Sequence, residues 1–206
     1  MYTSKLNQVL NQEEILSFMK RFSFATIISG DDEVPQASHL PFTITYKNGE
    51  ILLHGHFARA NKQWKNIETQ KVLVIFSEPH AYISTSHYNN RESVPTWNYY
   101  AVHAYGDCKI IHDKSAVLDA LEDMINFYEP EYKNQWDTLT GNFKDKMLQG
   151  IVAFTVTVTN LQASQKLSQN KTIEEQQRII DSLTSSKDTN AKITGDYMKA
   201  NLEKKS

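Results

Sequence analysis

Between His54 and Trp64 the chain reads His-Gly-His-Phe-Ala-Arg-Ala-Asn-Lys-Gln-Trp. The pattern predicts a strand ending in His-Gly-His and a short helix over Ala58–Glu68. Free backbone N–H groups at a helix start attract an anion, and the helix dipole adds to that attraction. On such a helix Arg59 and Lys62, three apart, face the same way. Arginine gives bidentate contacts to phosphate and lysine supplies a point charge. The stretch fits a phosphate cradle. It also fits a solvated helix start with ordinary surface charges, and the spacing alone leaves both readings open.

A second concentration of chemistry lies in His80–Tyr88 and Val94–Gly106. Alternate side chains of a strand share a face. Trp97, Tyr99, Ala101 and His103 then fall on one side, and Asn98, Tyr100, Val102 and Ala104 on the other. Each face mixes rings with hydrogen-bonding groups, as a planar heteroaromatic ligand requires. Taken singly, each of these aromatics reads as core and each histidine as one satisfied by backbone. Two further candidates are His39, next to the bend expected at Pro41, and Lys166-Leu167-Ser168-Gln169-Asn170. The latter is a polar cluster after a strand, where Ser168 or Asn170 is a candidate helix cap.

Several other chemistries are excluded. The chain has no Gly-x-Gly-x-x-Gly or Walker loop, no Gly-x-Ser-x-Gly elbow and no basic helix-turn-helix. His54 and His56 alternate on a strand, but they lack nearby carboxylates and a His-Glu-x-x-His pattern, so no metal site is expected. No catalytic acid–base pair stands out.

The elements that must hold these residues follow from hydrophobic period and turn signals. Asn11–Phe22 reads as a helix capped by Asn11. Phe24–Ser29, Gln36–Tyr46 (interrupted at Pro41), Ile51–His56, Lys71–Ser77, Ala81–Ser86, Trp97–His112 with a bend at Gly106, and Gly150–Leu161 read as strands. Gly30-Asp31-Asp32-Glu33 is a turn, and Lys47-Asn48-Gly49-Glu50 a hairpin. Ser115–Tyr128, Phe143–Leu148 and Ile173–Leu183 read as helices. From Ser185 onward the chain is polar and is expected to be a loosely held tail. Many short strands with few helices predict a mainly β architecture, an antiparallel barrel with peripheral helices over residues 1–184.

Composition sets the outer bounds. The 206 residues carry 22 basic and 24 acidic side chains, a net charge of −2. That balance does not suit wholesale nucleic-acid binding, which usually needs a basic surface. The tail from 185 to 206 adds five lysines against three acidic residues, too weak an excess to favour direct DNA contact. The single cysteine, Cys108, rules out an intrachain disulfide and fits a reducing compartment. No signal peptide or membrane-length apolar run is evident, so a cytoplasmic location is expected.

Taken together, Ser23–Thr26, Ser38–Pro41, Gly55–Asn61, Pro79–Ser84, Val94–Tyr99, Val102–Gly106 and Lys166–Asn170 resemble the PaiB family in order and spacing, over roughly residues 1–184. That family is described as FMN-binding negative transcriptional regulators tied to protease synthesis and sporulation. The resemblance implies an FMN-binding split β-barrel like that of pyridoxamine phosphate oxidases, as a homodimer with FMN where the subunits meet. It further implies that Arg59, Asn61 and Lys62 hold the phosphate, and that His39 and Trp97-Asn98-Tyr99 lie along the ribityl or isoalloxazine region. Lys166, Ser168, Gln169 and Asn170 would reach the flavin from the partner. His56 and Ala60, within the same motif as Arg59, complete the expected cofactor set. Two other functions are compatible with the fold: an FMN-dependent oxidoreductase, whose chemistry belongs largely to the cofactor, and a haem-binding barrel.

Overall fold

The computed structural model describes residues 1–30 and 34–204. Its strands are β1 (Phe24–Ser29), β2 (Gln36–Pro41), β3 (Thr43–Lys47), β4 (Glu50–Ala58), β5 (Lys71–Phe76), β6 (His80–Ile83), β7 (Thr96–Ile110) and β8 (Ile151–Lys166). The helices are α1 (Gln12–Arg21), α2 (Lys114–Tyr128), α3 (Tyr132–Thr138), α4 (Gly141–Gln149), α5 (Ile173–Thr184) and α6 (Thr189–Glu203). The chain divides into two compact units: Met1–Ile15, Ser77–Val102 and Gln162–Ser206 form the first, and Leu16–Phe76 and His103–Leu161 the second.

The second unit carries most of the sheet. Hydrogen-bonded neighbours run in the order β2-β1-β5-β7-β8-β4-β3, with β2 and β3 at the two ends of the path. The pairs β1–β2, β1–β5, β3–β4 and β4–β8 are antiparallel. The hairpin between β3 and β4 turns on Asn48 (φ 55°) and Gly49 (φ 86°), two successive positive φ angles that the Asn-Gly pair tolerates. Phenylalanines from four strands or strand ends fill its core. Phe42 meets Phe76 and Phe154 edge-on at 6.1 and 6.0 Å, and Phe57 stacks on Phe154 at 4.7 Å. Each is fully buried, and such ring pairs add about 0.5–1.5 kcal/mol beyond area burial.

In the first unit β6 pairs with the start of β7, His80 opposite Tyr99 and Ile83 opposite Thr96. Ala81, Ile83, Leu167, Ile179, Ile180, Leu183 and Met198 form its core. Here the polar C-terminal segment departs from expectation. It is not a loose tail: residues 189–203 form α6, capped by Asp188, with Thr194 and Met198 buried against α5. Of the residues that α6 buries (Thr194, Gly195 and Met198) one alone is a large apolar side chain; Ala191, Tyr197 and Leu202 pack partly buried beside it, and Gly195 lets α6 come close. A Cβ there would sit 2.9 Å from Thr184 Cγ2 and 3.1 Å from Leu183 Cβ.

Other boundaries moved as well. The helix expected over Ala58–Glu68 is a 3₁₀ segment over Lys62–Thr69, because β4 stays paired with β8 as far as Ala58 opposite Ile151. β8 runs five residues past its expected end, to Lys166. α5 is capped by Thr172, with Glu175 closing a capping box, and neither Ser168 nor Asn170 takes that role. α3 was not expected. Asp31, Asp32 and Glu33 of the expected turn lie outside the described residues. No helix of the described residues is long and apolar enough to cross a membrane.

Candidate functional site

The expected site residues fall into two groups, one on each unit. His39, His56, Arg59, Ala60, Asn61 and Lys62 belong to the second unit. Trp97, Asn98, Tyr99, Lys166, Ser168, Gln169 and Asn170 belong to the first.

On the second unit, the end of β4 and the turn after it are locked by hydrogen bonds. Arg59 N donates to Gly150 O at 2.8 Å, Asn61 N to Ala58 O at 2.9 Å, and Gln63 N to Asn61 Oδ1 at 3.0 Å. Three of the backbone N–H groups expected to cradle a phosphate are therefore already satisfied. Asn61 caps the 3₁₀ segment and its Nδ2 donates to Ser38 Oγ at 2.7 Å, so its side chain joins the turn to β2. The hub of this network is Gln63, which the sequence did not mark. Buried to 5% exposure, it accepts from Ser38 Oγ at 2.6 Å. Its Nε2 lies 3.2 Å from Ile27 O, 3.0 Å from Ser29 Oγ and 3.1 Å from Gln36 O. A glutamine between an exposed Lys and a half-buried Trp gives no local sign that it points inward.

Arg59 and Lys62 do not share a face. Arg59 Nε donates to Gln149 O at 3.0 Å and Nη2 to Ile151 O at 2.6 Å, and the residue lines a cavity of about 340 Å³ with Trp64, Val117 and Leu148. Lys62 lines a small polar cleft with Ser29, Gln36 and Asn66. The reason is geometric. The i, i+3 rule holds within a helix, and the 3₁₀ turn begins at Lys62. Arg59 and Ala60 are exposed turn residues. His39 is exposed on β2, on the opposite face from Ser38, and its ring stacks on exposed Phe24 at 6.5 Å.

His54 and His56 are half-buried on β4. His54 Nδ1 meets Thr155 Oγ1 at 3.0 Å and Nε2 meets Thr45 Oγ1 at 3.1 Å. Burial lowers the pKa of His54, against a smaller upward pull from Asp123, and burial lowers those of His56 and His103. All three titrate below the ordinary 6.5. The unfolded chain therefore takes up these protons first as pH falls. Stability is at its full value above about pH 6.5 and declines as pH drops through the window below it, toward the folded-state values. The urea midpoint should fall between about pH 7.5 and pH 5.5, and His56→Gln should flatten part of that slope. A midpoint independent of pH would contradict the burial assigned to these rings.

On the first unit, Lys166, Ser168 and Asn170 come together at a cavity of about 410 Å³, with Tyr88, Thr96 and Lys171 in its wall. Lys166 Nζ donates to Thr96 Oγ1, and Lys171 Nζ sits 3.7 Å from the centroid of the Tyr88 ring. Asn170 is exposed. Ser168 and Gln169 also hold the loop itself. Ser168 has φ 59° and exchanges hydrogen bonds with fully buried Asn98 at 3.0 and 3.2 Å. Gln169 accepts from Leu167 N at 2.7 Å and donates to Gln165 O, which ties the loop to itself. Asn98 thus faces the core, while Trp97 is 53% exposed and groups with His80 and Tyr82, each ring 5.8 Å away. Tyr99 lies half-buried on the same strand face as Trp97. Among the described residues, no three His, Cys, Asp or Glu side chains gather around a point that could hold a metal ion.

An antiparallel sheet following this order, with helices inserted between β7 and β8 and appended after β8, defines an antiparallel split-barrel protein. The same fold occurs in a flavocytochrome, Anf3, of Azotobacter vinelandii (TM-score 0.61, 16% identity, 77% of this chain and 69% of that one). It occurs also in an FAD and heme binding protein of Mycobacterium smegmatis (TM-score 0.63, 14% identity, 84% and 79%). The chain belongs to the family described as "Putative FMN-binding domain", whose model matches residues 1–160. It is 39% identical, over 99% of both chains, to "Protease synthase and sporulation protein PAI 2" of Bacillus subtilis.

Proposed function

We propose that this chain is an FMN-binding regulatory protein of the PAI 2 type, acting in the cytoplasm as a homodimer on the control of protease synthesis and sporulation. The observation that carries the reading is the 39% identity across 99% of both chains, together with the family match over residues 1–160. When bound, FMN would supply a redox-responsive ring. The protein's own part is to hold and orient it.

The geometry narrows which residues have chemistry to spare. Lys62 is exposed and unencumbered by the network of Asn61 and Gln63, so it is the cation offered to the phosphate. Asn61 and Gln63 act by positioning the turn that bears it. Lys166 and Asn170 rim the polar cavity of the first unit, and in the dimer each subunit would present them to the flavin of the other. The ring pairs Phe24–His39 and Tyr82–Trp97 offer exposed aromatic surface for stacking.

The test is a visible spectrum. The purified chain mixed with FMN should retain flavin absorbance through gel filtration, and absence of uptake at micromolar FMN would overturn the reading. Lys62→Ala should weaken FMN binding by about tenfold, the worth of one charge-assisted contact. Affinity unchanged by that substitution would remove Lys62 from the site. Bleaching of the bound flavin by anaerobic NADH or NADPH would make the protein an oxidoreductase instead.

A further inference from the structure

The cavity of about 340 Å³ on the second unit contains neither Lys62 nor Asn61, to which the proposed function gives the phosphate and its positioning; Arg59, which the family resemblance set beside them, lies in its wall. Its wall has two characters. Ile110, Val117, Leu148, Val152 and Trp64 make much of it apolar. Arg59 gives it a charge. Its guanidinium is held in place, by Gln149 O at 3.0 Å and Ile151 O at 2.6 Å, with Cζ 5.8 Å from the centroid of the Trp64 ring. Carbonyl oxygens satisfy N–H groups without cancelling the formal charge, and two bonds leave part of the five-donor fork free.

The other ions in this wall neutralise each other, Lys114 Nζ lying 2.6 Å from Asp145 Oδ1. Among the described residues Arg59 has no carboxylate within ion-pair distance. The cavity therefore pairs apolar surface with one fixed, uncompensated positive charge.

We propose that this cavity is a second ligand site, which takes a small amphipathic carboxylate. The apolar body lies against Val117, Leu148 and Val152, and the carboxylate meets the free edge of Arg59. Volume sets the size class: ordinary ligand sites run from about 300 to 1,000 Å³, and this one lies at the small end. A medium-chain or arylalkyl carboxylic acid suits it. A neutral alcohol of the same length gains the burial but leaves the charge without a partner, and an amine is repelled.

Calorimetric titration of the full chain with octanoate and with 1-octanol, with and without saturating FMN, tests this. Octanoate should bind about tenfold more tightly than octanol, the difference a charge-assisted bidentate contact makes. FMN should leave the octanoate affinity within about twofold, as for sites that share no partners. Leu148→Trp, which fills the cavity, should abolish octanoate binding while FMN uptake persists, and Met147→Trp, on the exposed neighbouring position, should retain both. Arg59→Gln should erase the preference for octanoate over octanol. The proposal is overturned if octanoate does not bind, if octanol binds as well, if FMN displaces octanoate, or if Leu148→Trp binds octanoate normally. The arms without FMN decide the matter even if the chain takes up no flavin.

Discussion

Gly106→Ala is expected to destabilise the protein by about 3 kcal/mol or more, the upper range for forcing a methyl group into a packed interior. A Cβ at this position would lie 2.3 Å from Thr157 O, 2.7 Å from Val156 Cγ1 and 3.0 Å from Thr157 C. Two of those three atoms are backbone of β8, the neighbour of β7 in the sheet, so no rotamer change relieves the contact. The strands must separate, or β7 must shift, and either lengthens ladder hydrogen bonds in the middle of the sheet. β7 runs through the glycine from Thr96 to Ile110, and its role is to let two strands approach. For a chain of this size the loss should appear as a fall in Tm of about 6–12 °C. A Tm within about 2 °C of the parent would show that the strands have room the structure does not give them.

Gln63→Leu is expected to cost about 2–4 kcal/mol, although leucine is close in volume. The reason is what it strands rather than what it removes. Ser38 Oγ loses its acceptor, and Ile27 O, Ser29 Oγ and Gln36 O lose a shared donor. Leaving buried polar groups unpaired costs about 1–3 kcal/mol apiece, and members of one network fail together. Urea denaturation measures the stability. FMN titration should show affinity falling with it, because the turn that carries Lys62 is held by Gln63 and Asn61. Gln135→Leu, at an exposed position, should stay within about 0.5 kcal/mol of the parent. If Gln63→Leu behaved the same way, the network would not be what holds the turn.

Much of the architecture was legible because its causes are local. The short apolar runs in Phe24–Ser29 and Lys71–Ser77 placed β1 and β5, and the Asn48-Gly49 pair placed the β3–β4 turn. Asn11 caps α1 as its position implied, with Oδ1 2.9 Å from Glu14 N. The motifs from Ser23 to Asn170 carried the family. What a short window does not contain was misjudged. Thr194, Gly195 and Met198 are buried because α5 lies against them, so α6 reads as a polar tail in the sequence. Residues 162–166 continue β8 although alternation fades there, because their neighbours in space extend the pairing, as the bridge from Ser164 to Gln8 shows.

The candidate site divides in the same way. The sequence by itself determined which residue types stand near the end of β4, along β7 and after β8, and therefore that phosphate, ring and amide chemistry is available. Only the tertiary structure decided which of those groups are spent. Arg59 gives two of its five donors to carbonyls some ninety residues away, Asn98 and Ser168 satisfy each other across seventy, and Lys62 is left exposed. A donor's availability depends on which acceptors folding brings within about 3 Å. That is a property of the contacts between distant segments, and no spacing within His54–Trp64 or Lys166–Asn170 records it.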